Sequence, residues 1–205
     1  MTCSVKIIKK QGQKISKWSG GETTQLYIYP ENSSYEDKNF KWRISSANVE
    51  MEESTFTKLP NIQRKLMVID GDLILKHKNN NKVKLNKFDV TSFSGDWDTV
   101  SYGKAIDFNL MTNQDCKGEL EYIKIKSYID IKAKEILNEN NYRYEAKVFY
   151  SLNEEFDIIL ESGKVLTVEK GDLAIIKFKK NSKEKVKLIN KLEKELEIVK
   201  STVYY

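Results

Sequence analysis

Apolar and polar residues alternate with a period of two along most of this chain, and that pattern predicts strands rather than helices. Val5 to Lys10 reads as a first strand, ended by Gly12. Gln25 to Tyr29 alternates Leu26 and Ile28 with Gln25, Tyr27 and Tyr29, and Pro30 stops it. Phe40 to Val49 is a longer strand with Trp42 and Ile44 on one face and Arg43 and Ser45 on the other. Gln63 to Ile69 follows, with Asp70-Gly71 as a corner before Leu73 to Lys76. Asn79-Asn80-Asn81 turns the chain back into Val83 to Leu85, because asparagine tolerates the left-handed conformations a hairpin needs. Asp107 to Met111 sets Phe108 and Leu110 against Asp107 and Asn109.

The same alternation continues beyond Gly118. Glu119 to Lys126 and Tyr142 to Tyr150 flank the turn region Asn138 to Asn141, and Phe156 to Leu160 and Lys164 to Phe178 add strands around Gly163 and Gly171. The spacing changes only at the end. Leu188, Ile189, Leu192, Leu196 and Val199 predict an amphipathic helix over Asn181 to Val199, capped by Asn181 with Glu184 three residues on. Lys82 to Val90 also echoes Lys164 to Leu173, which hints at duplication. The predicted fold is all-β, of jelly-roll or barrel type, in two lobes: 1–117, and 118–205 with the C-terminal helix.

A length of 205 residues accommodates two such lobes without disulfide staples. Cys3 and Cys116 lack metal-ligand spacing and are expected to be free thiols. No run of signal-peptide or membrane-span character is present, so a soluble, cytoplasmic protein is expected. The net charge of +5 arises from lysines interspersed with carboxylates, a pattern that favours solvated faces over nucleic-acid binding. Arginine is the informative cation. Among 35 basic residues only Arg43, Arg64 and Arg143 are arginines, and a guanidinium grips a carboxylate bidentately or stacks on an aromatic ring where lysine does neither.

Candidate chemistry concentrates at Trp18-Ser19-Gly20-Gly21-Glu22-Thr23-Thr24, where paired glycines and three hydroxyls surround an aromatic ring. Phe93-Ser94-Gly95-Asp96-Trp97-Asp98-Thr99 repeats that chemistry. His77 is the single histidine and is expected to be exposed beside the asparagine turn, so a multi-histidine metal site cannot be assembled. A carboxylate site through Glu22, Asp96 and Asp107 is the weaker alternative.

These segments resemble the HutD/Ves family of the cupin superfamily. The resemblance is carried by Trp18-Ser19-Gly20-Gly21 with Thr23 and Thr24, by Trp42-Arg43-Ile44-Ser45 with Ala47, by Arg64 leading to Asp70-Gly71, and by Phe93-Ser94-Gly95-Asp96 followed by Asp107 to Met111. The family often shows glycine where Asn61 stands, and arginines where this chain has Asn113 and Gln114. The resemblance implies a two-lobed, bicupin-like fold and an association with histidine utilisation or stress response, without an established reaction. The expected function is binding of a small polar, carboxylate-type metabolite without metal or other cofactor, with urocanate or N-formylglutamate as natural candidates. The expected binding residues are Trp18, Ser19, Gly20, Gly21, Thr23, Thr24, Arg43, Ser45, Arg64, Asp96, Asp107 and Asn109. A metal-independent enzyme with Asp96 or Asp107 as general base is the alternative. The terminal helix is expected to pack on its own domain or on a second subunit, as in a homodimer.

Overall fold

The computed structural model describes residues 3–77, 81–133 and 142–205. The asparagine turn at Asn79 and Asn80, and the turn region Asn138 to Asn141, lie outside the described residues. Alternation becomes strand throughout. The strands are β1 (Cys3–Ile8), β2 (Lys14–Trp18), β3 (Gly21–Tyr29), β4 (Trp42–Val49), β5 (Glu53–Thr55), β6 (Ile62–Gly71), β7 (Leu73–His77), β8 (Lys82–Leu85), β9 (Val90–Ser94) and β10 (Thr99–Tyr102). They continue with β11 (Ala105–Asn113), β12 (Lys117–Ile125), β13 (Tyr128–Lys132), β14 (Tyr144–Ser151), β15 (Phe156–Leu160), β16 (Val165–Val168), β17 (Leu173–Lys179), β18 (Lys185–Ile189) and β19 (Leu196–Tyr204). Among the described residues the one helical element is a 3-10 turn at Lys10–Gly12, and no helix is long and apolar enough to cross a membrane.

Two compact units result, one from Gln13–Leu120 and the other from the first strand with Glu121–Tyr205. In the Gln13–Leu120 unit a six-stranded sheet runs β2-β3-β4-β11-β6-β9 and a four-stranded sheet runs β5-β10-β7-β8. Leu66, Val68, Leu73, Leu75, Leu85 and Phe93 form one buried cluster here, and Ile28, Phe40, Leu59, Ile62 and Met111 form another. The other unit has sheets β1-β17-β14-β19-β12 and β13-β18-β15-β16 around Phe149, Phe156, Ile158, Phe178, Leu188 and Ile198. Cys3 and Cys116 are free and buried, and burial pushes both thiols up to about 11.

The strand orders match position by position. The blocks β4-β11-β6-β9 and β5-β10-β7-β8 recur as β12-β19-β14-β17 and β13-β18-β15-β16. The echo between Lys82–Val90 and Lys164–Leu173 falls on β8–β9 and β16–β17, which occupy equivalent places. Each unit is therefore an eight-stranded jelly roll, with β2–β3 added at one edge of the first and β1 at one edge of the second.

Two expectations are corrected. The division at residue 117 assigns the first strand to the N-terminal lobe, but β1 pairs antiparallel with β17, from Cys3 opposite Phe178 to Ile8 opposite Leu173. The C-terminal helix is absent, and β18 and β19 stand in its place. Val186 and Leu188 are buried at a spacing of two, while Leu192, needed for a helical stripe, is 39% exposed. Asn190 fixes the turn between them. Its side-chain Nδ2 donates to the carbonyls of Ile125, Lys126 and Lys194, and its Oδ1 accepts from Leu192 N. Those bonds reward a turn that a helix would have to give up.

The buried Asp172 ties the first strand's end into its unit by accepting from Lys9 Nζ at 2.8 Å, Lys10 N at 2.9 Å and Glu169 N at 3.1 Å. Replacing Asp172 with alanine orphans two backbone donors and should lower unfolding free energy by about 2–3 kcal/mol in urea titration. A loss within experimental error of zero would show that β1 is held by strand pairing alone.

A two-arginine cavity on the six-stranded sheet

One face of the Gln13–Leu120 unit's larger sheet carries polar residues in register. Arg43 on β4 and Arg64 on β6 both lie opposite Met111 on β11. The next row places Gln25, Ser45 and Asn109 side by side, and the row beyond it Thr23, Ala47 and Asp107. Rows lie about 7 Å apart along the strands, and the two arginine Cα atoms about 10 Å apart across them. The alternation read from the sequence thus delivers Arg43, Ser45, Asp107 and Asn109 to one surface. They line a cavity of about 430 Å³ together with Arg64, Trp18, Ser19 and Thr23.

The glycine pair builds the rim. A Cβ on Gly20 would lie 2.0 Å from the Trp18 ring, and one on Gly21, at φ +145°, would lie 2.0 Å from the Asn48 carbonyl oxygen. Only glycine lets the β2–β3 turn fold under Trp18 while lying against β4. Trp18 Nε1 donates to Thr23 Oγ1 at 3.1 Å, which orients the indole at the cavity mouth.

Each guanidinium is held against aromatic rings. Arg43 Nε donates to Gln25 Oε1 at 2.8 Å and Nη1 to Ser45 Oγ at 2.9 Å, with Cζ 4.5 Å from the Tyr35 ring centre. Arg64 lies 4.6 Å from the Phe56 ring and 5.3 Å from Phe93, and its buried Nε has no hydrogen-bond partner. Both arginines are buried, at 5% and 6% exposure. Neither is ion-paired with a carboxylate among the described residues. Burial, opposed by Tyr35 and Asp107 and aided by the nearby Arg43 charge, lowers the pKa of Arg64 to about 10. Arg43 is lowered by burial as well. A guanidinium keeps its proton at neutral pH.

Asp107, 3% exposed, is pushed up to about 7 by burial, with Arg64 and the Ala47 backbone N–H pulling it back. Its neighbour Asn109 is 4% exposed and its Oδ1 is unpaired.

Four expected binding residues lie away from the lining. Gly20 and Gly21 form the turn. Thr24 opposes Ile15 and Ser46 on the other face of the sheet. Asp96 is exposed and closes its own turn with Ser94 through bonds of 3.1 and 3.2 Å. The alternative carboxylate cluster of Glu22, Asp96 and Asp107 therefore does not converge, and among the described residues no group of three metal-ligating side chains does. His77 is a further correction, being buried at 3% exposure where an exposed side chain was expected. Its Nδ1 lies 2.9 Å from Thr99 Oγ1, and its ring packs on Phe93 and Trp97, so it is a core residue whose pKa burial lowers.

Sequence reasoning missed Tyr35, Glu36, Phe56 and Thr57, which line the cavity from irregular segments without periodicity. A signal for Tyr35 and Glu36 existed in the run Ser33 to Asn39. There Ser34 Oγ donates to Asp37 Oδ2 and Ser34 N to Asn39 Oδ1, the bonds of a constructed turn. Asn61, standing where the family often shows glycine, has φ +63°, a conformation asparagine tolerates.

The model of the HutD family matches residues 10–192 of this chain. No curated protein sequence matches it. Its structure is similar to that of PA5104, a conserved protein of unknown function from Pseudomonas aeruginosa PAO1, at 16% identity, covering 98% of each chain with a TM-score of 0.80. It is similar to HutD from Pseudomonas fluorescens SBW25 at 15% identity, covering 98% of this chain and 100% of that one with a TM-score of 0.69. An oxalate decarboxylase variant from Bacillus subtilis follows at 5% identity, covering 95% and 76% with a TM-score of 0.64. At these identities the likeness is one of fold.

The Asp107 carboxyl makes a pH prediction. Its folded pKa of about 7 exceeds the ordinary 3.8, so folding takes up a proton between those values. The stability this supplies is complete below about 3.8 and lost as pH rises through 7. Asp107→Asn should thus melt close to wild type at pH 4 and roughly 5 °C or more above it at pH 8. A difference that does not grow with pH would mean that Asp107 is ionised without cost.

Proposed function

The chain belongs to the HutD family, and we propose that its N-terminal jelly roll binds a small carboxylate in an accessory or regulatory role linked to histidine utilisation. One observation carries this reading: two buried guanidiniums share a cavity and have no countercharge within ion-pairing reach among the described residues. An isolated buried cation costs several kcal/mol, so a site that keeps two of them is built for an anion. Arg64 offers a bidentate edge, since none of its N–H groups is engaged by a side chain or carbonyl among the described residues. Arg43 is braced by Gln25 and Ser45 and keeps its remaining N–H groups for the ligand. A cavity of about 430 Å³ with aromatic walls suits a small organic acid rather than an inorganic ion.

A metal-independent enzyme is the second reading, and one observation favours it. Asp107 is a buried carboxyl with a pKa of about 7 facing the same cavity, the state a general base requires. Turnover of a bound acid that is lost in Asp107→Asn, with binding kept, would establish it.

The binding reading sets function against stability at Arg64. Arg64→Met removes an uncompensated charge while keeping the apolar contacts to Phe56 and Phe93, so the ligand-free variant should gain about 1–3 kcal/mol. Binding of carboxylates, followed by calorimetry or thermal shift, should weaken at least about tenfold. Unchanged binding, or a stability loss of similar size, would make Arg64 a structural residue.

A further inference from the structure

We propose that the hydroxyl of Tyr35 is a third donor to the ligand's carboxylate, so that the cavity grips an acceptor-only head group between two guanidiniums and a phenol. The inference rests on the carboxylate-binding reading and specifies how the anion is held. Tyr35 lines the cavity, and its ring centre lies 4.5 Å from Arg43 Cζ. Its phenol oxygen is not among the polar atoms sealed from solvent, and no hydrogen bond engages it among the described residues. The same holds for Arg43 Nη2 and for both Nη atoms of Arg64. All of these accessible groups can donate. Together they suit a head group that has only lone pairs to offer, which describes an ionised carboxylate.

The turn that carries Tyr35 holds the phenol in place without using its hydroxyl. Ser34 N donates to Asn39 Oδ1 at 2.9 Å, Ser34 Oγ to Asp37 Oδ2 at 2.8 Å and Asp37 N to Ser34 Oγ at 3.0 Å. The ring itself stacks on the buried Phe40, with centres 6.4 Å apart. Fixed from both sides, the side chain presents its oxygen at little further entropic cost. The oxygen also lies within the field of both cations. Burial is the main influence on each guanidinium, and Tyr35 comes next, ahead of Glu36 at Arg43 and ahead of Asp107 at Arg64. An anion drawn by both charges therefore arrives beside the phenol, and a hydrogen bond from phenol to carboxylate is of the stronger, charge-assisted kind. Glu36, the next residue, lines the cavity as well, but it is exposed and its charge is screened at the mouth.

Tyr35→Phe tests this, because it keeps the ring over Arg43 and removes only the hydroxyl. Titration calorimetry with benzoate and with propionate should show about tenfold weaker binding than wild type for both acids. The melting temperature of the ligand-free variant should stay within experimental error of wild type. Tyr35→Leu, which removes the ring too, should lose at least as much affinity and some stability besides. Wild-type affinity in Tyr35→Phe overturns the inference while the carboxylate reading stands, and leaves Tyr35 as a ring packed on Arg43. A melting temperature lowered in Tyr35→Phe as far as in Tyr35→Leu also overturns it, since the hydroxyl then serves the fold. Failure of both acids to bind the wild-type chain overturns both readings.

Discussion

The larger sheet of the N-terminal unit carries two guanidiniums at 5% and 6% exposure with no carboxylate in ion-pair contact among the described residues. Such charges destabilise a fold unless something else holds them. Here aromatic faces and neutral oxygens do. Tyr35 lies over Arg43, Phe56 and Phe93 lie over Arg64, and Gln25 and Ser45 accept from Arg43. Rings and neutral acceptors orient a cation without cancelling its charge, which leaves its field available to a ligand. An aspartate salt-bridged to either arginine would stabilise the chain more and cancel the site.

The second jelly roll shows the other solution. Arg64 lies opposite Phe93 on β9 and Met111 on β11, and in the equivalent strands Glu145 lies opposite Phe178 on β17 and Tyr204 on β19. Lys147, two residues on from Glu145 on the same strand, pairs with it at 2.9 Å. Both side chains are almost fully buried. The repeat closes its charge on itself where the first repeat leaves it open.

The fold and much of the cavity were legible because a strand has a side-chain period of two. Arg43 with Ser45, and Asp107 with Asn109, each had to share a face, and antiparallel register then brought the two faces together. What was illegible lacked such periodicity. Tyr35, Glu36 and Thr57 reach the cavity from irregular segments, the first two from a turn closed by Ser34, Asp37 and Asn39. His77 sat in a lysine-rich, polar stretch that reads as exposed, yet strand alternation directs it inward onto Phe93. The C-terminal segment misled for a different reason. Its apolar residues fit a helical stripe and two short strands equally well, and the long-range bonds of Asn190 decided between them. The first strand's place was hidden too, since its partner β17 is about 170 residues away in sequence.

Asp107 limits how far the cavity can be opened to charge. A carboxylate there subtracts from the field of both arginines, and its burial holds the group neutral up to a pH of about 7. An anion arriving beside it makes ionisation harder still, so ligand and proton are favoured together. The protonated carboxyl then becomes a neutral hydrogen-bonding group in the row beyond Asn109. Arg64, Asn109 and Asp107 therefore present, row by row, a cation, a neutral amide and a carboxyl whose charge depends on the ligand. For an anion of the proposed kind, that gradient would favour its negative end at Arg64 and its neutral polar end toward Asp107.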